Sequence, residues 1–405
     1  MHSSQLKRYI PVVLMMVVVL LIFVYLGITH KSKNTETSKT LGAVTITPLP
    51  IPNTPFVSAY GTKLYVNGKQ FKFTGVNAYG LAGDPGFNVG CGGATANIDT
   101  FLTKLRPNSV VRIWAFQGSM ATNPKTKKTD WTGLDKVVAA AAKNKLKLIL
   151  VLGDQSGTCD DGHWRDPNWY SNDFKHVTNE YKNGLTPLPY FEYVKAIVSR
   201  YKDSTTIAMW EPINEPEAGT CSGAQGSACY GKQKCVNETV ARQSLRSFFD
   251  TVGGQIKSID PNHIVSSGLV GDGQCGTVFE DYQFLHQSSG IDIASYHDYN
   301  RDDEVMPGDQ WNGLGKRLKQ MTILNKPLFI GEAGIKAKDN STQCMNYSTR
   351  SNKIKAKMDA QFAAGIVGYL PWDLTESTSS ICNFDIVKDD PLIELLKKYS
   401  FPQLN

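Results

Sequence analysis

The chain is short of the groupings that hold metals. Its eight cysteines include no Cys-x2-Cys pair, and its seven histidines form no cluster with ligand spacing. A zinc site is therefore not expected, and neither a metal nor a cofactor is required. A Gly-rich nucleotide turn is also missing. The first candidate strand runs into Gly80-Leu81-Ala82-Gly83, which does not fit a dinucleotide loop. Charge of one sign is scarce as well. The formal net charge is +6, of which Lys7, Arg8, Lys31, Lys33 and Lys39 against Glu36 supply +4 within residues 1–55, leaving +2 for the rest. A body so near neutrality has no electrostatic footprint for nucleic acid. No internal repeat and no second linker are visible, so one catalytic-size domain and a monomer are expected.

One long hydrophobic run is present. Tyr9 to Ile28 is broken only by Pro11, and about 20 apolar residues suffice to span a bilayer. Lys7 and Arg8 precede it, which favours a cytoplasmic N-terminus. The run ends Leu26-Gly27-Ile28-Thr29-His30, without an Ala-x-Ala cleavage site. An uncleaved anchor is favoured, and a cleaved signal is the alternative. Both export the body, to the cell surface or beyond. All eight cysteines follow the run, which reads as disulfides bracing loops. Their pairing stays open, although Cys221, Cys229 and Cys235 share one excursion and Cys344 with Cys382 can link neighbouring loops. The division expected is residues 1–30 as membrane segment, 31–55 as a Thr/Ser/Pro tether, and 56–405 as the folded body.

Within the body, short apolar runs alternate with helical spacing. The candidate strands are Phe71–Asn77, Ser109–Trp114, Lys147–Leu152, Ile207–Glu211, His263–Gly268, Ile291–Tyr296, Pro327–Glu332 and Ile366–Pro371. Between them, Leu134, Val137, Val138 and Ala141 fall at i, i+3, i+4, i+7. Tyr190, Val194, Ile197 and Tyr201 also recur at helical spacing, and so do Trp311, Leu314, Leu318 and Met321. Val240 to Ile259 reads as one longer helix. Strand–helix alternation implies a parallel sheet, and eight units in about 340 residues imply a closed (β/α)8 barrel. Lys63–Gln70 reads as a hairpin with an Asn67-Gly68 turn that closes the bottom of the barrel.

Chemistry in such a barrel sits where strands end. Glu215 closes one strand in Trp210-Glu211-Pro212-Ile213-Asn214-Glu215-Pro216, and Glu332 closes another in Ile330-Gly331-Glu332-Ala333-Gly334. Two carboxylates on one rim are what glycosidic cleavage needs. Arg112 can hold one of them ionised, or serve only as a structural ion pair. Asn214 can hydrogen-bond a sugar hydroxyl. His297 and Tyr299, two apart, share a strand face. Trp114 and Trp372 can stack on sugar rings, with Trp164, Trp169 and Trp311 as further candidates. Glu211, four before Glu215, is expected to point into the barrel and is assigned no role, and Glu217 is expected to be solvated. Asn237, Asn340 and Asn346 head glycosylation tripeptides.

These segments resemble glycoside hydrolase family 5, the cellulase and mannanase family. Leu64–Lys69 with Phe73–Tyr79 is similar to the opening hairpin and first strand, Val110–Phe116 to the arginine strand, and Ser295–Tyr299 to the His-x-Tyr strand. The arginine strand looks closest to the endo-β-1,4-mannanase form. The resemblance implies retention through a glycosyl-enzyme, with Glu215 as acid/base, Glu332 as nucleophile and Tyr299 bonded to Glu332. It implies a β-1,4-linked polysaccharide substrate, mannan ahead of cellulose or mixed glucan. A transglycosylase and a silent glycan-binding barrel are the alternatives. Many members end strand three with His, where this chain has Val151-Leu152-Gly153-Asp154-Gln155.

Overall fold

The computed structural model describes residues 50–92, 98–176, 185–222, 226–339, 341–376 and 381–402. The apolar run Tyr9–Ile28, residues 31–49 of the tether and Asn340 lie outside the described residues. No helix among the described residues is long and apolar enough to cross a membrane.

The chain opens with three antiparallel strands, β1 (Ser58–Tyr60), β2 (Lys63–Val66) and β3 (Lys69–Phe71). The β2–β3 turn sits at Asn67 and Gly68, both with positive φ, as a tight hairpin requires. Val57 and Leu64 are fully buried and pack with the barrel's inner residues, so this sheet plugs one end. Eight parallel strands follow: β4 (Phe73–Asn77), β5 (Val110–Trp114), β6 (Lys147–Val151), β7 (Ile207–Glu211), β8 (Ile264–Val265), β9 (Ala294–Asp298), β10 (Leu328–Ala333) and β11 (Gly368–Pro371). They pair in the order β8-β7-β6-β5-β4-β11-β10-β9. A parallel bridge from Ser266 to Ile293 joins the two ends and closes the barrel.

Alternation sorts the strand residues into two cores. Val110, Ile149, Val151, Met209 and Phe329 face the inside. Val111, Ile113, Leu148, Leu150 and Ile330 face the helices. Strands covered on both sides must be apolar throughout, which is why they were visible as continuous runs. The helix Tyr190–Tyr201 docks on them through Tyr193, Val194, Ile197 and Tyr201, one stripe at helical spacing.

Two of the helices differ from expectation, and the expected strand His263–Gly268 forms a strand only over Ile264–Val265. The Val240–Ile259 stretch begins at Glu238 and is interrupted by a π-helical turn at Phe249–Gly253. There, Gly253 and Gly290 meet so closely that a Cβ on Gly253 would lie 2.4 Å from the Gly290 carbonyl oxygen. Trp311 is not helical; its helix starts at Leu314, and the ring is 55% exposed.

The cysteines form four pairs: Cys91–Cys159, Cys221–Cys229, Cys235–Cys275 and Cys344–Cys382. The Cys344–Cys382 link is as expected, while Cys235 leaves its own excursion to reach Cys275. Every one of these residues lies in a segment that follows a barrel strand.

Candidate active site

The rim is assembled around Arg112. Inner positions on β5 are Val110, Arg112 and Trp114, so the guanidinium enters the barrel one layer below the rim. It is fully buried, and all five of its N–H groups have acceptors. Nε and Nη2 donate to Glu211 Oε1 at 3.0 and 2.5 Å. Nη1 donates to Glu332 Oε1 at 2.7 Å and to Asn77 Oδ1 at 3.0 Å. Nη2 also donates to Asn214 Oδ1 at 2.6 Å. Burial lowers the Arg112 pKa, but Glu211 and Glu332 raise it beyond its ordinary value, so the charge stays. One side chain thus pairs with Glu211 and Glu332 at once.

Glu332 reaches the interior through a bulge. Ile330 pairs with Tyr296 and Glu332 pairs with His297, leaving Gly331 as an extra residue. Phe329 faces inward, so strict alternation would turn Glu332 outward; the inserted residue turns it back. Gly331 suits the position because a Cβ there would lie 2.8 Å from Ser295 Oγ and 3.0 Å from His297 Nε2. Glu332 Oε2 accepts from Tyr299 Oη at 2.8 Å. Burial raises the Glu332 pKa, His297 and Arg112 oppose that, and the net direction is upward. Tyr299 is pushed well above its ordinary range by burial and by Glu332, so it remains a donor.

Glu215 stands opposite, with a backbone φ of +51°. A non-glycine residue pays for that conformation sterically, more so before a proline. Its N–H donates to the Gly268 carbonyl at 2.9 Å. Gly268 must itself be glycine, since its φ is +66° and a Cβ would sit 2.0 Å from the Ile213 oxygen. Burial, helped by the charge of Asp154, pushes Glu215 up to about 7. His297 Nδ1 lies 2.8 Å from Glu215 Oε1 and 3.7 Å from Glu332 Oε2. Burial lowers His297 to about 4, which makes it neutral. A proton on Nδ1 has an acceptor in Glu215, whereas Nε2 is buried without one, so the Nδ1–H tautomer fits. One ligand-type atom each from Glu215, His297 and Glu332 lie within 4.8 Å of one another.

Above the carboxylates is a cleft of about 560 Å³. Trp114 and Trp372 line it. Trp372 lies parallel to Tyr79 at 5.3 Å, which fixes the ring's orientation. Of the residues the sequence singles out, Trp114, Asn214, Glu215, Tyr299, Glu332 and Trp372 line the cleft, and Arg112 and His297 are bonded to Glu332 and Glu215 from within the barrel. The other tryptophans do not line it. Trp169 is buried among Tyr170, Tyr190 and Phe248, and Trp164 packs edge-on against Tyr230.

The model of the cellulase family, glycosyl hydrolase family 5, matches residues 65–377. The chain belongs to glycosyl hydrolase family 5. Among the relatives of this family-5 hydrolase, mannan endo-1,4-beta-mannosidase F of Aspergillus clavatus is 30% identical over 327 residues, 71% of this chain and 66% of that one. Mannan endo-1,4-beta-mannosidase 1 of Oryza sativa is 26% identical over 370 residues, 79% of this chain and 78% of that one. The solved endo-1,4-beta-mannanase of Rhizomucor miehei superposes with a TM-score of 0.59 at 21% identity, covering 84% of this chain and 97% of that one.

Glu211 points into the barrel as expected, but the roles of several residues of the hydrolase's rim were not readable from the sequence. Glu211, fully buried, is the second anchor of Arg112. Asp154 accepts from Asn214 Nδ2 at 3.1 Å and lines the cleft, so both ends of the Asn214 amide are engaged. Glu217 is a correction: it is 3% exposed, not solvated, and burial lifts it to about 7. Its N–H donates to Gln155 Oε1 at 3.0 Å, in the segment after β6, and its carboxylate accepts from the backbone at Cys275, after β8.

Gly334 explains the end of its motif. A Cβ there would lie 2.5 Å from the Tyr299 ring and 2.6 Å from Phe384. Gly334→Ala is expected to displace Tyr299 from Glu332 and lower kcat about tenfold, the worth of one hydrogen bond to a charged group. On a Tyr299→Phe background the same change should cost little more, and full additivity in that double-mutant cycle would reject the account.

Proposed function

We propose that the protein is a retaining endo-β-1,4-mannanase in which Glu332 is the nucleophile and Glu215 the acid/base. The observation that carries the reading is the separation of the two carboxylates. Oxygens from each lie within 4.8 Å, too close for the intervening water of an inverting enzyme, whose carboxyl groups stand about 6.5–9.5 Å apart. A Glu332 oxygen attacks the anomeric carbon as the glycosidic C–O bond breaks. Glu215 gives its proton to the leaving oxygen. Water then enters, returns a proton to Glu215, and releases the sugar from Glu332. Arg112 and Tyr299 hold Glu332 as an anion. His297 holds Glu215 Oε1, leaving the other oxygen for the substrate. Mannan is preferred as substrate because the relatives above carry that name, and Trp114 and Trp372 offer stacking faces for its sugar rings.

The body acts outside the cytoplasm, in keeping with its four disulfides. The tether and residues 9–28 would hold it at a membrane as a monomer. Release from membranes by high salt alone would refute the anchor.

The test is hydrolysis of mannan, glucomannan, carboxymethylcellulose, mixed-linkage glucan and xylan. Oligosaccharide release from mannan supports the proposal. Activity confined to glucans would overturn the substrate, and binding without turnover would make the protein a glycan-binding barrel.

The protonation states set a pH dependence. Glu215 must be protonated, so kcat/KM falls as pH rises through about 7. Glu332 must be ionised, so activity also falls toward acid, below its raised pKa. The basic limb should vanish in Glu215→Gln assayed on an aryl mannoside with a good leaving group, which needs little acid assistance. Persistence of that limb would assign it to another group.

A further inference from the structure

Two large aromatic rings stand in water on the same face as the cleft, and neither lines it. Phe279 is 51% exposed and Trp311 is 55% exposed. Their centroids are 6.1 Å apart and the rings are perpendicular, at 86°. Both are held by backbone that has been fixed from below. Phe279 has a φ of +47°, unfavourable for a residue with a Cβ. Its N–H donates to Asn312 Oδ1 at 2.9 Å, and its carbonyl accepts from Arg317 Nη1 at 2.6 Å and Gln320 Nε2 at 2.9 Å. Arg317 is completely buried, and Nη2 also donates to Asn312 Oδ1. The Trp311 N–H donates to Asp309 Oδ1 at 2.8 Å. Strained backbone that its surroundings over-determine points to a use for the side chain it presents. The core has no need of either ring.

We propose that Phe279 and Trp311 form a second polysaccharide-binding platform, outside the cleft, for neutral β-linked sugar chains. It rests on the reading of the substrate as a polysaccharide. Phe279 follows β8 and Trp311 follows β9. In the closed barrel those strands stand between β7, which leads to Glu215, and β10, which carries Glu332. The platform therefore occupies the rim between the two carboxylates, away from the β5, β6 and β11 side that supplies Trp114, Asp154 and Trp372. The flanking segment carries Asp302, Asp303, Glu304 and Asp309 against Arg301. That balance disfavours an anionic ligand, while carboxylates suit hydroxyl donors. Sugar rings present C–H faces that stack on aromatics. A stable protein partner would bury about 800 Å² on each side, far more than two rings offer. A polymer long enough to leave the cleft has the platform within the same face, whereas a short oligosaccharide held in the cleft does not touch it.

The experiment compares the protein with its Phe279→Ala/Trp311→Ala double variant. Retention on insoluble mannan, kcat/KM on soluble mannotetraose, and oligomeric state are measured for each. The apparent Kd on insoluble mannan is expected to rise about five- to tenfold, with mannotetraose turnover unchanged within about twofold and no change in oligomeric state. The Phe279→Tyr/Trp311→Tyr variant, which keeps stacking faces, should retain binding. Unchanged retention in the alanine variant would overturn the platform. So would a parallel loss on mannotetraose, which would place the rings in the cleft's support, or an altered oligomeric state with unaltered retention, which would make the pair an interface between copies. If the unmodified protein binds mannan yet hydrolyses neither substrate, the catalytic reading fails, and loss of retention in the alanine variant still decides the platform.

Discussion

Replacing Glu332 with glutamine is expected to lower kcat on mannan by at least about 10³-fold while leaving the melting temperature and mannan binding close to those of the parent. Glutamine keeps the shape of the side chain. Its carbonyl oxygen can still accept from Arg112 Nη1, now at 2.7 Å from Glu332 Oε1. What disappears is the anion that attacks the anomeric carbon, and no neighbour can replace it. Glu211 is fully buried and engaged by Arg112 and by Ser266 Oγ. His297 is neutral and points its Nδ1 at Glu215. Residual turnover within tenfold of the parent would mean that another group attacks, and the assignment of the pair would fall.

Arg112→Met is expected to destabilise the fold by about 3–5 kcal/mol and to abolish turnover as well. The reason is what the arginine leaves behind. Glu211 and Glu332, with side chains 0% and 5% exposed, would face one another across the barrel with no cation between them. The Oδ1 atoms of Asn77 and Asn214 would each lose a donor. Arg112→Lys does not repair this, because one ammonium has three donors and cannot reproduce a planar fork with five. Denaturant midpoints give the measurement. Adding Glu211→Gln to Arg112→Met removes one of the orphaned charges and should recover part of the loss. A single variant as stable as the parent would show that the carboxylates find other partners, and the guanidinium would not be the keystone of the rim.

Much of the barrel could be read from the chain because parallel strands are apolar on both faces. Ile207–Glu211 was legible to the residue. Ile291–Tyr296 was placed three residues early: Ile291 and Ile293 are buried and apolar, yet the paired strand is Ala294–Asp298. Asp298 could not be recognised as interior, since its cation, Lys357, comes from a distant helix and lies 3.0 Å away. The same limit hid the role of Glu211, whose partner is 99 positions distant. The rim residues were legible for a different reason. Strand ends are local, and both glutamates could be placed on one rim without knowing any contact. The bulge at Gly331 was not legible, although the inward turn of Glu332 depends on it. Nor was the break before Leu314. Apolar spacing extends back to Trp311, but Asp309 captures the Trp311 N–H and a tight turn through Gly313 delays the helix.

The disulfides have a consequence for how such a protein changes over time. Cys91–Cys159 ties the segment after β4 to the one after β6, Cys235–Cys275 ties those after β7 and β8, and Cys344–Cys382 ties those after β10 and β11. The segments that shape the cleft are therefore inherited as couples. An insertion in one shifts the anchor point of its mate, so new preferences among sugars would arise through matched alterations of two segments rather than through the drift of one. Anyone recombining this rim with that of another barrel would have to move both halves of each couple together.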